Sequence, residues 1–264
     1  MPEFTAKDVQ ALRQATGAGM MDAKKALVET EGDHDAAVKV LREKGLVKSV
    51  DRSSRDNRDG GVAVAVNDNV AALVELKCET DFTAKSPAFL EINQALADAV
   101  AAEGEGAVDS LKDRVDDLKL TTRENVEIGR VARIEAADGN VLDTYLHKQD
   151  GRGKVAVAVE VAGGTPGLAH DIAIHIAFTK PDYLSRDEVA AEEVAAERET
   201  LTNITKAEGK PEAALDKIVE GRLNGWYQER VLLEQKFVRD EKQTIPQLLG
   251  GASIVRFACI VVGG

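Results

Sequence analysis

Twice along this chain of 264 residues, an apolar run, a short polar turn, a second apolar run and a helical stretch follow one another in the same order. The first set reads "VAVAV" (Val62 to Val66), the turn "NDN" and "VAALVELKC" (Val70 to Cys78). After "TDFTAK" comes a helix with Ser86 as its N-cap, Pro87 at its first position, and Phe89, Ile92, Leu96 and Val100 on one face. The second set reads "NVLDTYLH", the turn "DGRG" at 150 to 153, "KVAVAVEV", and, after "GGTPG", a helix from Leu168 to Phe178. "VARIEA", ahead of a "DG" turn at 138 to 139, adds a strand before it. This order predicts an α+β fold and hints at a duplicated unit, although residue identity between the two copies is weak.

The flanking segments are helical. Thr5 is placed to cap a first helix carrying Val9, Leu12 and Arg13, with Asp8 as the capping-box acid. "TGAGM" breaks it, a second helix runs from Met21 to Thr30, and Asp33 caps a third that carries Ala37, Val40 and Leu41 and ends at Gly45. "KSVDRSSRDNRDGG" lacks apolar periodicity and reads as a mobile linker. The acidic stretch before Val131 has no clear pattern. From Asp187, Ala190, Val194, Leu201 and Ile204 fall on alternating steps of four and three with Glu197 as a misfit between Val194 and Leu201, "EGKP" turns the chain, and Leu215, Val219 and Trp226 line a second arm. That pattern predicts an antiparallel helical hairpin. The last strand, Ala252 to Val262, is expected to return to the sheet. The boundaries that follow are a helical module at 1–47, a linker at 48–61, a core subdomain at 62–140, a second at 141–184 and 226–264, and the hairpin inserted at 185–225.

A net charge of -12 removes the broad positive field that nonspecific phosphate binding needs, so direct nucleic-acid binding is disfavoured. That balance also weighs against a helix-turn-helix DNA reader in the first fifty residues. Cys78 and Cys259 form no CxxC pair, which fits neither a disulfide scaffold nor a thiolate zinc site and suits a reducing cytoplasm. No apolar run approaches the roughly 20 residues of a bilayer span.

Motifs for chemistry are weak. Gly17 and Gly19 follow a helix rather than a strand, and "GRGK" lacks the spacer and hydroxyl of a phosphate loop, so no nucleotide cofactor is expected. His170 and His175 are five apart, which puts them on different helix faces and argues against a metal. No Ser, His and acid set stands out, leaving a protein-binding scaffold ahead of an enzyme. Phe82, in "TDFTAK", either folds back onto the core or is offered outward. Met20 and Met21 are likewise either core or a soft partner surface, and His147 is a solvated strand end or an exposed contact.

Two long stretches decide between these readings. "LRQATGAGMMDAKKAL" (Leu12 to Leu27) and "ELKCETDFTAK" (Glu75 to Lys85) resemble the two signatures of the bacterial elongation factor Ts family, the guanine-nucleotide exchange factors of elongation factor Tu. "GKPEAALDKIVEGRLNGW", "LLEQKFV" and "VRF" extend the resemblance over nearly the whole chain. It implies a ubiquitin-associated-like (UBA-like) three-helix module, two related α+β core subdomains and an antiparallel coiled-coil hairpin inserted in the second. By the same resemblance Arg13, Met20, Met21, Thr80, Asp81, Phe82, His147 and Val238 contact elongation factor Tu, GDP-bound or nucleotide-free, with Phe82 entering its G domain near the magnesium and phosphates. Exchange of this kind needs no cofactor, membrane or bond chemistry, and the hairpin is free to serve dimerisation, partner contact or both. Lys77 and Thr83 depart from the usual Asn and Val of the second signature, and the stretch before Val131 is shorter than in some relatives. The ending "VVGG" carries no counterpart of the C-terminal helix that some members lay on the G domain.

Overall fold

The computed structural model describes residues 4–44 and 56–264. Three helices come first: α1 (Ala6–Thr16), α2 (Met20–Glu29) and α3 (His34–Glu43). Thr5 and Asp8 form the expected capping box, and Asp33 Oδ1 accepts from the N–H groups of Asp35 and Ala36 at 3.0 Å each. Leu12, Ala23, Leu27, Ala37 and Leu41 make the small core of this module.

The expected linker at 48–61 lies for the most part outside the described residues, but its end is a strand. β1 (Asp59–Asn67) begins three residues ahead of Val62, and Asp59, Gly60 and Gly61 pair with Cys78, Lys77 and Leu76 of β2 (Val70–Cys78). At Gly60, with φ at +147°, a Cβ would sit 2.2 Å from the Leu76 carbonyl oxygen, so the pairing runs through a position that tolerates no side chain. A one-turn helix, α4 (Asp81–Ala84), precedes α5 (Pro87–Glu103), which Ser86 caps as expected. The unpatterned acidic stretch holds α6 (Lys112–Thr122), and β3 (Glu127–Glu135) then returns alongside β2.

The second half repeats the scheme. β4 (Val141–Gln149) and β5 (Arg152–Ala162) form a hairpin, α7 (Pro166–Thr179) follows, and the closing strand pairs antiparallel with β5. Before that strand come α8 (Ala191–Ala207) and α9 (Leu215–Arg230), packed side by side, then β6 (Lys236–Phe237), β7 (Asp240–Thr244) and α10 (Ile245–Leu249). The closing strand itself is β8 (Ser253–Val261). The strand orders are therefore β1-β2-β3 and β4-β5-β8, each antiparallel.

The strand sequences explain the layering. In β2, Val70, Ala72, Val74 and Leu76 face the core shared with α5, while Ala71 and Leu73 face the other sheet. In β5, Val155, Val157, Val159 and Val161 face α7, while Ala156 and Ala158 face the first sheet. Both central strands are buried on both sides, which is why they read as largely apolar runs rather than as alternating ones. Small residues on the shared face let the sheets approach closely. At Gly153 a Cβ would lie 2.1 Å from the Val62 carbonyl oxygen, so the "GRGK" glycine serves a crossing of two backbones.

One acid breaks the apolar pattern on each inner face. Glu75 on β2 receives Arg130 Nε of β3 at 3.0 Å, and the guanidinium also donates to the Val261 carbonyl of β8. Glu160 on β5 receives Arg256 Nε of β8 at 2.7 Å, and that guanidinium also donates to the Glu135 carbonyl of β3. Each sheet's arginine thus grips the third strand of the other. Glu160 also accepts from the backbone of Ala137 at 2.8 Å and the side chain of Asn140 at 2.7 Å, in the connection between the halves.

Candidate functional site

The peptide between β2 and α5 carries the most exposed large hydrophobic side chain described. The Phe82 ring is 84% exposed, and it sits on α4, which is too short to hold itself by helix propensity. Its base is held instead. Glu124, just past α6, accepts from the Glu79 and Thr80 N–H groups at 3.0 Å, from Thr80 Oγ1 at 2.6 Å and from Thr83 Oγ1 at 2.7 Å. Thr83, the residue that departs from the usual valine, is buried and spends its hydroxyl on this carboxylate.

The other side of the loop is held by the β4–β5 hairpin. Arg152, with its side chain 4% exposed, donates from Nη1 to the Asp81 carbonyl at 3.1 Å, and its Nη2 forms an ion pair with Asp59 Oδ1 at 3.0 Å. Asp59 also takes Lys154 Nζ at 2.9 Å. Burial raises its pKa, but hydrogen bonds from Lys154 and the Gly60 N–H and the charge of Arg152 outweigh this and keep the carboxyl below its usual range. Lys85 reaches Asp81 at 2.7 Å and Asp150, in the hairpin turn, at 3.8 Å. The Lys85 hydrogen bond holds Asp81 ionised below its ordinary pKa and raises that of Lys85 in turn. His147 pairs with Val155 at the same end of the hairpin and is exposed. Thr80, Asp81 and Phe82 therefore stand beside the hairpin end that carries His147.

The remaining expected contacts lie apart. Arg13, Met20 and Met21 are exposed on the helical module, the methionines at 47% and 64%. That module rests on α6, where Leu120 joins its core and Arg123 Nη2 comes within 3.5 Å of the Ala11 carbonyl. Val238 is half-buried against the second core, and its N–H donates to Nδ1 of the fully buried His175 at 3.2 Å. His175 Nε2 meets Gln235 at 2.9 Å, whereas His170 meets Asp143 at 2.9 Å, so the two histidines have separate partners.

The family model described as elongation factor TS matches residues 79–264, a span that opens on this loop. Over the whole chain and the whole of the relative, the sequence is 44% identical to elongation factor Ts of Renibacterium salmoninarum. It is 42% identical to that of Acidothermus cellulolyticus over 100% of this chain and 99% of the relative, and 40% identical to that of Deinococcus radiodurans over 97% and 99%. The chain belongs to the elongation factor Ts family. Membership makes it a translation elongation factor and bears out the resemblance read from the two signatures.

For this member of the elongation factor Ts family, sequence reading missed Glu124, Arg152 and Asp59, the groups that hold the loop. "GRGK" was legible as a turn, and the structure agrees, with φ at 52° for Asp150 and 80° for Gly151. Nothing in its spacing announces that Arg152 reaches back to a loop some seventy positions earlier. Neither cysteine is a reactive thiolate: Cys78 is buried, its Sγ donating to the Thr80 carbonyl at 3.2 Å and its thiol pushed up to about 12 chiefly by desolvation, and Cys259 is pushed up to about 11 for the same reason.

Proposed function

We propose that this chain is the guanine-nucleotide exchange factor of elongation factor Tu and accelerates GDP release by inserting the Asp81–Phe82 loop into the partner's G domain near the magnesium and phosphate site. The observation that carries this is an apolar ring held out in water on a loop whose base is fixed from two sides. Large exposed apolar groups on a fixed support mark interaction sites. Thr80 and Asp81 flank the ring, His147 accompanies it, and Arg13, Met20, Met21 and Val238 form further contacts with the same partner.

The physics of exchange is linkage. Bound nucleotide and magnesium favour one arrangement of a G domain, and a protein that binds another arrangement more tightly loosens the nucleotide by the coupling free energy between the two sites. No bond is made or broken in this chain. The proposed organisation is a UBA-like module at 1–47, core subdomains at 62–140 and at 141–184 with 226–264, and a coiled-coil hairpin at 185–225. In support, α8 and α9 are joined by the pairs Arg198–Glu220 and Arg222–Glu208.

The test is release of labelled GDP from elongation factor Tu, with and without this chain. Saturating chain should accelerate release by orders of magnitude, and an unchanged rate would overturn the reading.

A further inference from the structure

Arg152 is the most deeply buried cation among the described residues, and its location needs a reason. A buried guanidinium is costly unless its donors are used, and removing one partner of such a group leaves a charge without compensation. One arm of Arg152 goes to Asp59, which already has Lys154. Charge balance alone would be served by Lys154. The other arm goes to the Asp81 carbonyl, the residue directly before Phe82, and Nε has no partner. The side chain is thus committed to bridging two places rather than to satisfying itself.

Both places belong to the first half of the molecule, and Arg152 reaches them from the second. Arg152 opens β5, Asp59 opens β1, and Asp81 opens α4. The Asp81 carbonyl also accepts the Lys85 N–H at 3.2 Å, so Arg152 holds the peptide that starts the one-turn helix. Lys85 and Asp150 add a second, looser tie between the same loop and the same turn. Glu124 fixes the loop from the first half, and Arg152 fixes it from the second.

We propose that Arg152 is a positioning residue for nucleotide exchange: through the Asp81 carbonyl it sets the direction in which Phe82 is presented and keeps the loop in register with the hairpin end that carries His147. This rests on the exchange reading above. Arg152 itself need not touch the partner, since its side chain is covered in the free protein.

The experiment compares Arg152→Met and Arg152→Lys with wild type in two measurements. The first is release of labelled GDP from elongation factor Tu as a function of chain concentration. Hydrogen bonds from a charged donor are among the stronger ones, so Arg152→Met should slow the maximal release rate by about tenfold or more. A variant that is only less stable would shift the half-saturating concentration and leave the maximum intact. In the Phe82→Ala background, Arg152→Met should have little further effect, because the residue acts through that ring. The second measurement is amide hydrogen exchange of the free protein. Ala84, Lys85 and Ser86, whose N–H groups are bonded within the loop, should exchange about tenfold faster in the variant, while amides of β5 keep their protection.

Should Arg152→Met fail to fold, Arg152→Lys carries both readouts, since a lysine keeps the charge near Asp59 but cannot donate to both acceptors. The proposal is overturned if a folded variant shows the wild-type maximal rate and loop exchange, or if its effect adds fully to that of Phe82→Ala. If wild type itself fails to release GDP, the exchange reading falls, and the hydrogen-exchange arm still decides whether Arg152 holds the loop.

Discussion

The two halves of the core share one plan and differ in where the connections are lengthened. In both, a hairpin is followed by a helix and a third strand that pairs with the second, and in both the central strand carries a buried glutamate after a valine, "VELKCET" and "VEVAGGT". In the second half Thr165 caps α7 directly, with Pro166 at its first position. In the first half the equivalent threonine, Thr80, caps α4, and a second capping pair, Ser86 and Pro87, is needed to start α5. The extra residues between those caps are the ones that present Phe82. The second half has its additions elsewhere, between α7 and β8, where α8 and α9 stand. The comparison teaches that the repeated plan supplies support, while the distinguishing chemistry sits where the copies diverge.

The largest effect should separate two phenylalanines of the first half that are seven positions apart. Phe89 is fully buried, and Phe89→Ala should cost roughly 3 to 5 kcal/mol in denaturant unfolding. Phe82→Ala should leave unfolding nearly unchanged, yet slow GDP release about ten to a hundredfold, because burying such a ring in the partner is worth roughly 1.5 to 3 kcal/mol. A large stability loss in Phe82→Ala would erase the distinction between supporting and presented residues.

The next effect tests how alike the halves are. Arg130→Met leaves Glu75 with only the backbone N–H of residue 130, at 3.3 Å, whereas Arg256→Met leaves Glu160 with Ala137 and Asn140 still donating at 2.8 and 2.7 Å. Burial works against the Glu160 charge, but those donors and Arg256 hold its pKa below the usual range. Stability losses on the order of 2 kcal/mol are expected, reduced from those of fully buried pairs because both arginines are about half exposed, and Arg130→Met should be the more damaging. Equal losses in urea titrations would mean that the extra donors contribute nothing.

The smallest effect concerns pH. The first sheet and its helix contain no histidine, while α7 buries His175. Burial lowers the pKa of His175 from 6.5, with the Gln235 bond opposing it, so the unfolded chain takes up the proton first as pH falls. Stability is therefore full above about 6.5 and declines below it, by at most about 1.4 kcal/mol per pH unit for one group. His175→Asn should flatten the difference between urea midpoints at about pH 7 and about pH 5, and an unaltered difference would place the titrating group elsewhere.

The sequence showed the frame well for a physical reason. β2 runs from Val70 to Cys78 as read, because a strand covered on both sides is apolar at most of its positions and its limits are sharp. The caps at Thr5, Asp33 and Ser86 were legible because they depend on neighbours within three residues. α6 was not, since Val115 and Leu118 are its buried positions and the rest is polar. Arg152, Glu124 and Asp59 escaped because their partners are close in space but far along the chain, and a polar residue in a turn looks the same whether or not something waits across from it. From its neighbours alone Phe82 was legible only as an oddity; its outward placement followed from the family resemblance, and the ring is exposed in the structure.

Glu160 has one more consequence. By holding both ends of the short connection at Ala137 and Asn140 as well as Arg256, it ties the joint between the halves at three points. A lever is only as stiff as its mounting. Any load on the Phe82 loop would pass through Glu124 into one half and through Arg152 into the other, with the Glu160 tie between them.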